Sequence, residues 1–342
     1  MARKRILYPF VSVLIGALLA VGGMVSGAQA AEKVRFFLDW IPYGKHSSFY
    51  AGVEYGIYKK YGLDVQVLPG KGSGLAVKTV GTKGVEYAHA DAGTLVIARG
   101  NNPDLRVKLV AMLHHDNLFT IAFLEKSGIK TPKDLEGRKI GSAAMNSSKI
   151  VFPAMAAAVG FDHNKVKWVD MEASAQDPSL LAGKVDAIPT YRTRNPTILS
   201  MAKKLGKTIK FFNYSDYGVD IYSNGIIAHE DTIKNQPNRT RRFVVASLEA
   251  FQWSVANPEK AVGSFIKKNP TVSRELARGH WDIGVDVAIT KNTKKTGFGF
   301  MLREKIQNTI DTMSKYRKMK RKPTPEEVYT NEFVGVYLHR AM

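Results

Sequence analysis

The chain has 342 residues, a formal net charge of +20 and no cysteine. The absent thiols exclude disulfides, thiolate metal ligands, a cysteine nucleophile and a lipid-anchored export signal, which needs a cysteine at its cleavage point. The basic balance admits a nucleic-acid footprint, but no nucleic-acid motif accompanies it, and solubility with attraction to an anionic membrane surface accounts for it.

Arg3, Lys4 and Arg5 precede an apolar run from residue 6 to about residue 25. Ala28-Gln29-Ala30 closes the run with the small-x-small pattern of a signal peptidase site. Residues 1–30 therefore read as a secretory signal cut after Ala30; the other reading is an uncleaved anchor, since the run nearly spans a bilayer. No later segment reaches the eighteen or so apolar residues of a membrane helix.

From residue 34 onward, strand-like and helix-like patterns alternate, the mark of α/β layers. A strand at 34–40, a helix at 47–61, a strand at 63–68, a helix at 75–80, a strand at 86–90, a helix at 94–99 and a strand at 107–113 form a first set. A strand at 118–124 follows with little between. A second set runs through 138–141, 150–159, 166–171, 179–182, 185–190, 197–205 and 208–212. Residues 222–229 are strand-like again, and two amphipathic helices at 239–256 and 258–268 lead into a mostly helical tail. The pattern predicts two lobes: 31–122 with 227–342, and 123–226 inserted between them, the strands at 118–124 and 222–229 crossing from one to the other.

Catalytic motifs are missing. The run Gly70-Lys71-Gly72-Ser73-Gly74 completes neither a P-loop nor a dinucleotide fingerprint, and there is no His-Glu-x-x-His or Gly-x-Ser-x-Gly. His114-His115-Asp116 has metal-ligating side chains, but neighbours on a strand end point to opposite sides and do not share an ion. What stands out is a set of loops after strands, where open α/β sheets bind ligands against helix N-termini. These carry Trp40, Tyr43 and His46; Gly72 and Ser73; Asp91 and Thr94; Asn146 and Ser147. Plain helix capping would account for any one of the Ser, Thr, Asp and Gly positions; four such loops together predict a cleft. Tyr191, Arg192 and Arg194 follow the strand 185–190 and face the first set across that cleft, with guanidinium groups suited to a carboxylate, sulfonate or phosphate.

Leu38-Asp39-Trp40-Ile41-Pro42, His46, Tyr50-Ala51-Gly52-Val53-Glu54-Tyr55-Gly56-Ile57-Tyr58, Tyr61-Gly62-Leu63-Asp64-Val65, Thr131-Pro132-Lys133-Asp134-Leu135-Glu136-Gly137 and Tyr329-Thr330-Asn331-Glu332-Phe333 stand in a specific order and spacing. In these the chain resembles the periplasmic solute-binding proteins of ABC importers, above all those that take pyrimidine precursors of thiamine, within a wider group for sulfonates, taurine and nitrate. The resemblance implies a two-lobed type II periplasmic-binding fold, α/β in both lobes, with two crossing strands as the hinge. It implies a monomeric, non-enzymatic receptor without cofactor or metal, free in the periplasm, which captures a small solute between its lobes and delivers it to an inner-membrane permease. Trp40 and Tyr191 would clamp the ligand ring, with His46 nearby, and replacing either aromatic should weaken binding without loss of stability. Arg192, Thr193, Arg194 and Asn195 stand where the pyrimidine-binding relatives place an acidic residue, which favours an anion over an aminopyrimidine. Two other readings remain: an enzyme of thiamine-pyrimidine synthesis, whose relatives carry a cysteine-rich motif that this chain lacks, and a sensor that touches a membrane kinase.

Overall fold

The computed structural model describes residues 30–335. Residues 1–29, which hold nearly all of the expected export signal, lie outside the described residues. Among the described residues no helix is long and apolar enough to cross a membrane.

Among the described residues ten strands build two sheets: β1 (Glu32–Phe37), β2 (Leu63–Leu68), β3 (Tyr87–Asp91), β4 (Val107–Met112), β5 (Phe119–Leu124), β6 (Lys139–Ser142), β7 (Lys167–Asp170), β8 (Ala187–Tyr191), β9 (Ile209–Asn213) and β10 (Asn224–His229). The first sheet runs β2-β1-β3-β10-β4 and the second β7-β6-β8-β5-β9. β1 lies parallel to β2, from Glu32 against Leu63 to Phe37 against Leu68. One strand in each sheet is reversed: β10 runs antiparallel to β3 and β4, and β5 antiparallel to β8 and β9. Both reversed strands are the first made after the chain changes sheet. β5 and β10, each between two neighbours, are buried along their whole length, which fits the largely apolar 118–124.

The two sheets with their helices are the two α/β lobes. The strands at 118–124 and 222–229 do not themselves span the gap. β5 belongs wholly to the second sheet and β10 to the first. The crossings are the short stretches just before them, and they bind each other: Leu113 and His114 donate their N–H groups to Asn224 O at 3.1 and 2.9 Å, and Ser223 N–H donates to His114 O at 3.3 Å. Lys305, from helix Arg303–Tyr316, holds one carboxylate in each crossing, Asp116 at 3.3 Å and Asp220 at 3.5 Å.

The expected helix at 47–61 is two helices, Ser47–Glu54 and Ile57–Lys60, because Gly56 adopts a left-handed φ of +69°. The first expected strand ends at Phe37, so Trp40 sits in the loop beyond it. Helix Pro237–Ala256 covers the first sheet and drives Phe243 against Tyr87, rings stacked at 4.3 Å. The tail forms helices Arg274–Ala288, Lys291–Thr296, Arg303–Tyr316 and Pro325–Val328. The first of these reaches back over the loop that follows β1 and touches the second lobe as well.

Candidate functional site

The loops after β1, β3, β6 and β8 meet where the sheets' carboxyl ends converge. Asp39, Trp40, Tyr43, Asn146, Ser147, Thr190, Tyr191 and Arg194 line a cleft there. Counting all space between its wall atoms, the cleft holds about 260 Å³, and its walls leave room for little more than a water at the centre. A solute of heterocycle size enters only if the lobes part.

The aromatic wall is held from both sides. Tyr43 OH lies 2.9 Å from Thr193 Oγ1 of the other lobe, and Tyr191 OH lies 2.5 Å from Ser147 Oγ. Asn146 caps helix Ser147–Val159 by accepting from Ser148 N–H at 2.9 Å, and donates its amide to Pro189 O at 3.1 Å. Trp40 and Tyr43 pack with Ala143 and Ala173 into a small apolar cluster that bridges the lobes. Gly72 makes a further bridge. A Cβ there would stand 2.2 Å from Met145 O, and this close approach lets Gly74 N–H reach that carbonyl at 3.2 Å.

Beneath the cleft lies a buried ion cluster that reading the sequence did not find. Asp39 Oδ2 accepts from Lys45 Nζ at 2.7 Å and from Asn224 Nδ2 at 3.2 Å. Asp39 Oδ1 sits 2.7 Å from His46 Nε2 and 3.0 Å from His89 Nδ1. Burial alone would raise the Asp39 carboxyl, but Lys45 and the two imidazoles outweigh it and hold it well below the usual range. Burial lowers His46 to about 4 and lowers His89 as well, so both rings are neutral donors. Lys45 Nζ also stands 5.4 Å from the Tyr43 ring centre and 4.9 Å from that of Tyr191, a cation facing both rings.

Asp39, His46 and His89 bring three possible metal-ligating atoms within 4.8 Å of one another. Their chemistry fits an ion pair better than a metal centre. His46 Nδ1 accepts from Tyr43 N–H at 3.4 Å, which places the ring proton on Nε2, aimed at Asp39. The second carboxylate oxygen already carries the lysine ammonium. His114 and His115 turn opposite ways, His114 toward His89 at 5.4 Å and His115 toward Tyr222 at 5.5 Å.

The remaining expected residues divide. Asp91 is fully buried behind the cleft; Oδ1 accepts from Thr94 N–H at 2.7 Å, and its own N–H donates to Ser73 Oγ at 3.1 Å. Burial pushes its carboxyl up to about 7. Asp91 Oδ2, Thr94 Oγ1 and Trp40 Nε1 find no hydrogen-bond partner among the described residues. His46 belongs to the ion cluster, one layer below the lining. Arg192 is not in the lining; Arg194 is. The two bracket a single 3-10 turn, in which residues two apart point in different directions. Arg194 is committed to Asp177 by a short ion pair and lies 5.7 Å over the Tyr43 ring.

Residues 44–261 match the family described as NMT1/THI5 like. The chain is similar to the formylaminopyrimidine-binding protein of Halalkalibacterium halodurans, 24% identical over 332 residues that cover 95% of this chain and 98% of that protein. It is also similar to the 4-amino-5-hydroxymethyl-2-methylpyrimidine phosphate synthase THI13 of Saccharomyces cerevisiae, 23% identical over 266 residues, 73% of this chain and 75% of that one. Its fold is shared with the periplasmic aliphatic sulphonate binding protein SsuA from Escherichia coli, with a TM-score of 0.64 at 14% identity, covering 89% of this chain and 99% of the other.

Proposed function

The chain belongs to the NMT1/THI5-like family, and from that premise we propose that it is the substrate-binding component of an ABC importer, taking up a small flat heterocycle of the thiamine-pyrimidine-precursor class. The observation that carries the reading is the pairing of an aromatic wall with unpartnered polar atoms. Trp40, Tyr43 and Tyr191 offer ring faces, while Trp40 Nε1 and, behind the lining, the buried Asp91 Oδ2 and Thr94 Oγ1 lack partners among the described residues. A buried polar atom without a partner costs about 1–3 kcal/mol, which a ligand edge bearing N–H and ring nitrogen groups relieves. The cations near the cleft favour this class over an anion, because Lys45 is paired to Asp39 and Arg194 to Asp177.

The lobes meet at the two crossings, and the hinge lies there. The protein works as a free periplasmic monomer that docks on a permease, with Tyr191, Ser147 and Asn146 brought in by the second lobe. We read it as a receptor rather than a synthase: the relative that aligns over nearly its whole length is named for binding. Incubation with iron and candidate pyrimidine donors is expected to give no product; any turnover would reverse this.

The ligand class is tested by a thermal-shift screen of a formylaminopyrimidine, an alkanesulfonate and nitrate. A ligand at 100 times its Kd stabilises by roughly 2.7 kcal/mol. A shift with the pyrimidine and none with the two anions is expected, and a shift with an anion alone would overturn the heterocycle reading. Trp40→Ala is expected to weaken the pyrimidine about 30- to 100-fold by calorimetry, the scale of one aromatic anchor, with little change in thermal midpoint. Tyr191 differs from the expectation drawn from the sequence. It packs on Phe119 at 5.4 Å within the main apolar core, so Tyr191→Ala lowers stability too, and Tyr191→Phe is the cleaner probe.

A further inference from the structure

Helix Arg274–Ala288 places one residue between the two lobes that no motif marks. His280 is buried. Its Nδ1 accepts from Gly44 N–H at 3.3 Å, in the loop that carries Tyr43. An accepting Nδ1 leaves the ring proton on Nε2, which lies 2.6 Å from Thr197 Oγ1 on helix Asn195–Lys204 of the second lobe. The ring also meets Tyr43 edge-on at 5.4 Å. The backbone around it is shaped for this contact. A Cβ at Gly44 would stand 2.0 Å from Ala277 O, so only glycine lets the loop lie on the helix, and a Cβ at Gly279 would touch the Pro196 ring of the second lobe at 3.4 Å.

We infer that His280 is the clasp of the closed form: one ring nitrogen holds the Tyr43 loop and the other the second lobe, so closure and the seating of Tyr43 against the ligand are one event. His280 is a positioning residue, acting through Tyr43 and Thr197. Two neutral hydrogen bonds hold it, each worth about 0.5–1.5 kcal/mol. Losing the Thr197 bond is expected to shift the closed-to-open ratio about 2- to 10-fold. The inference rests on the closing-lobe reading given above but not on the ligand's identity, so its test uses the protein without added solute.

Lys71 and Glu172 face each other across the mouth at 3.3 Å, both exposed, in a chain with no cysteine of its own. Spin labels on a Lys71→Cys, Glu172→Cys parent report the mouth distance by pulsed dipolar spectroscopy. The parent is expected to show a short-distance population. His280→Ala and Thr197→Val are each expected to move a larger share to long distances, with thermal midpoints close to the parent's. A parent with only long distances, or both variants matching the parent, overturns the clasp. So does widening by His280→Ala without widening by Thr197→Val, which would confine His280 to its own lobe. If His280→Ala does not fold, Thr197→Val, an isosteric change on a partly exposed residue, decides alone. A failed ligand screen with a widened mouth would leave the clasp standing and remove only the ligand class.

Discussion

Asp39→Asn is expected to cost the folded protein about 3–5 kcal/mol at pH 7, measured by chemical denaturation. The carboxylate is the acceptor at the centre of the buried cluster, with Lys45, His46, His89 and Asn224 around it. Neutralising it leaves the Lys45 ammonium buried beside two rings that supply only part of the lost attraction. The pair is therefore costly to break from one side and cheaper to remove whole. Asp39→Asn combined with Lys45→Met is expected to recover more than half of the loss, because no uncompensated charge remains. A single-variant cost under about 1 kcal/mol, with no recovery in the double, would show that the cluster is not the ion pair its geometry describes.

Asp91→Asn should act in the opposite direction. The folded carboxyl is raised by burial to about 7 from an ordinary 3.8. Its contribution is fully present below pH 3.8, falls as the unfolded chain ionises, and is lost once pH passes the folded value. At one pKa unit per 1.36 kcal/mol, this amounts to about 4 kcal/mol at pH 8 as an upper figure. Asparagine keeps the oxygen that caps Thr94 and removes the ionisation. The variant is expected to match the wild type at pH 3.5 and to exceed it increasingly up to pH 8, while losing affinity for the pyrimidine. Equal stability at pH 8 would mean that the buried carboxylate is not strained. Stability given up at a site that awaits a ligand is the usual trade between folding and function.

The two-lobed α/β class and the strand-and-helix alternation could be read from residues alone, because strand and helix patterns depend on neighbours in sequence. Pro69-Gly70 follows the end of β2, and the helix expected at 150–159 begins three residues earlier, at Ser147, under the Asn146 cap. The site's foundation could not be read in the same way. Asp39, His89 and Asn224 come from three strands or their ends, and only the sheet order places them together. His280 sits in an amphipathic helix where a buried histidine resembles any core residue. The choice between Arg192 and Arg194 turned on the direction of one 3-10 turn, which spacing leaves open. For Lys45 a signal did exist: a lysine between Tyr43 and His46, in a loop otherwise apolar and aromatic, is an ammonium that needs a buried partner.

The reversed strand of the first sheet also sets the order in which the molecule is completed. β10 lies between β3 and β4, pairing Asn224 with Asp91 and His229 with Val107. A nascent chain that has reached Asn213 therefore owns both halves of that sheet without the strand that joins them. The second sheet takes all its strands from residues 119–213, so its last strand is synthesised before β10. The pairing of Asn224 with Asp91 joins strands far apart in sequence, and such contacts form slowly, so the first sheet is expected to be completed after the second. A chain cut short before Asn224 ends with two unpaired edges in place of a sheet centre, a species prone to aggregate.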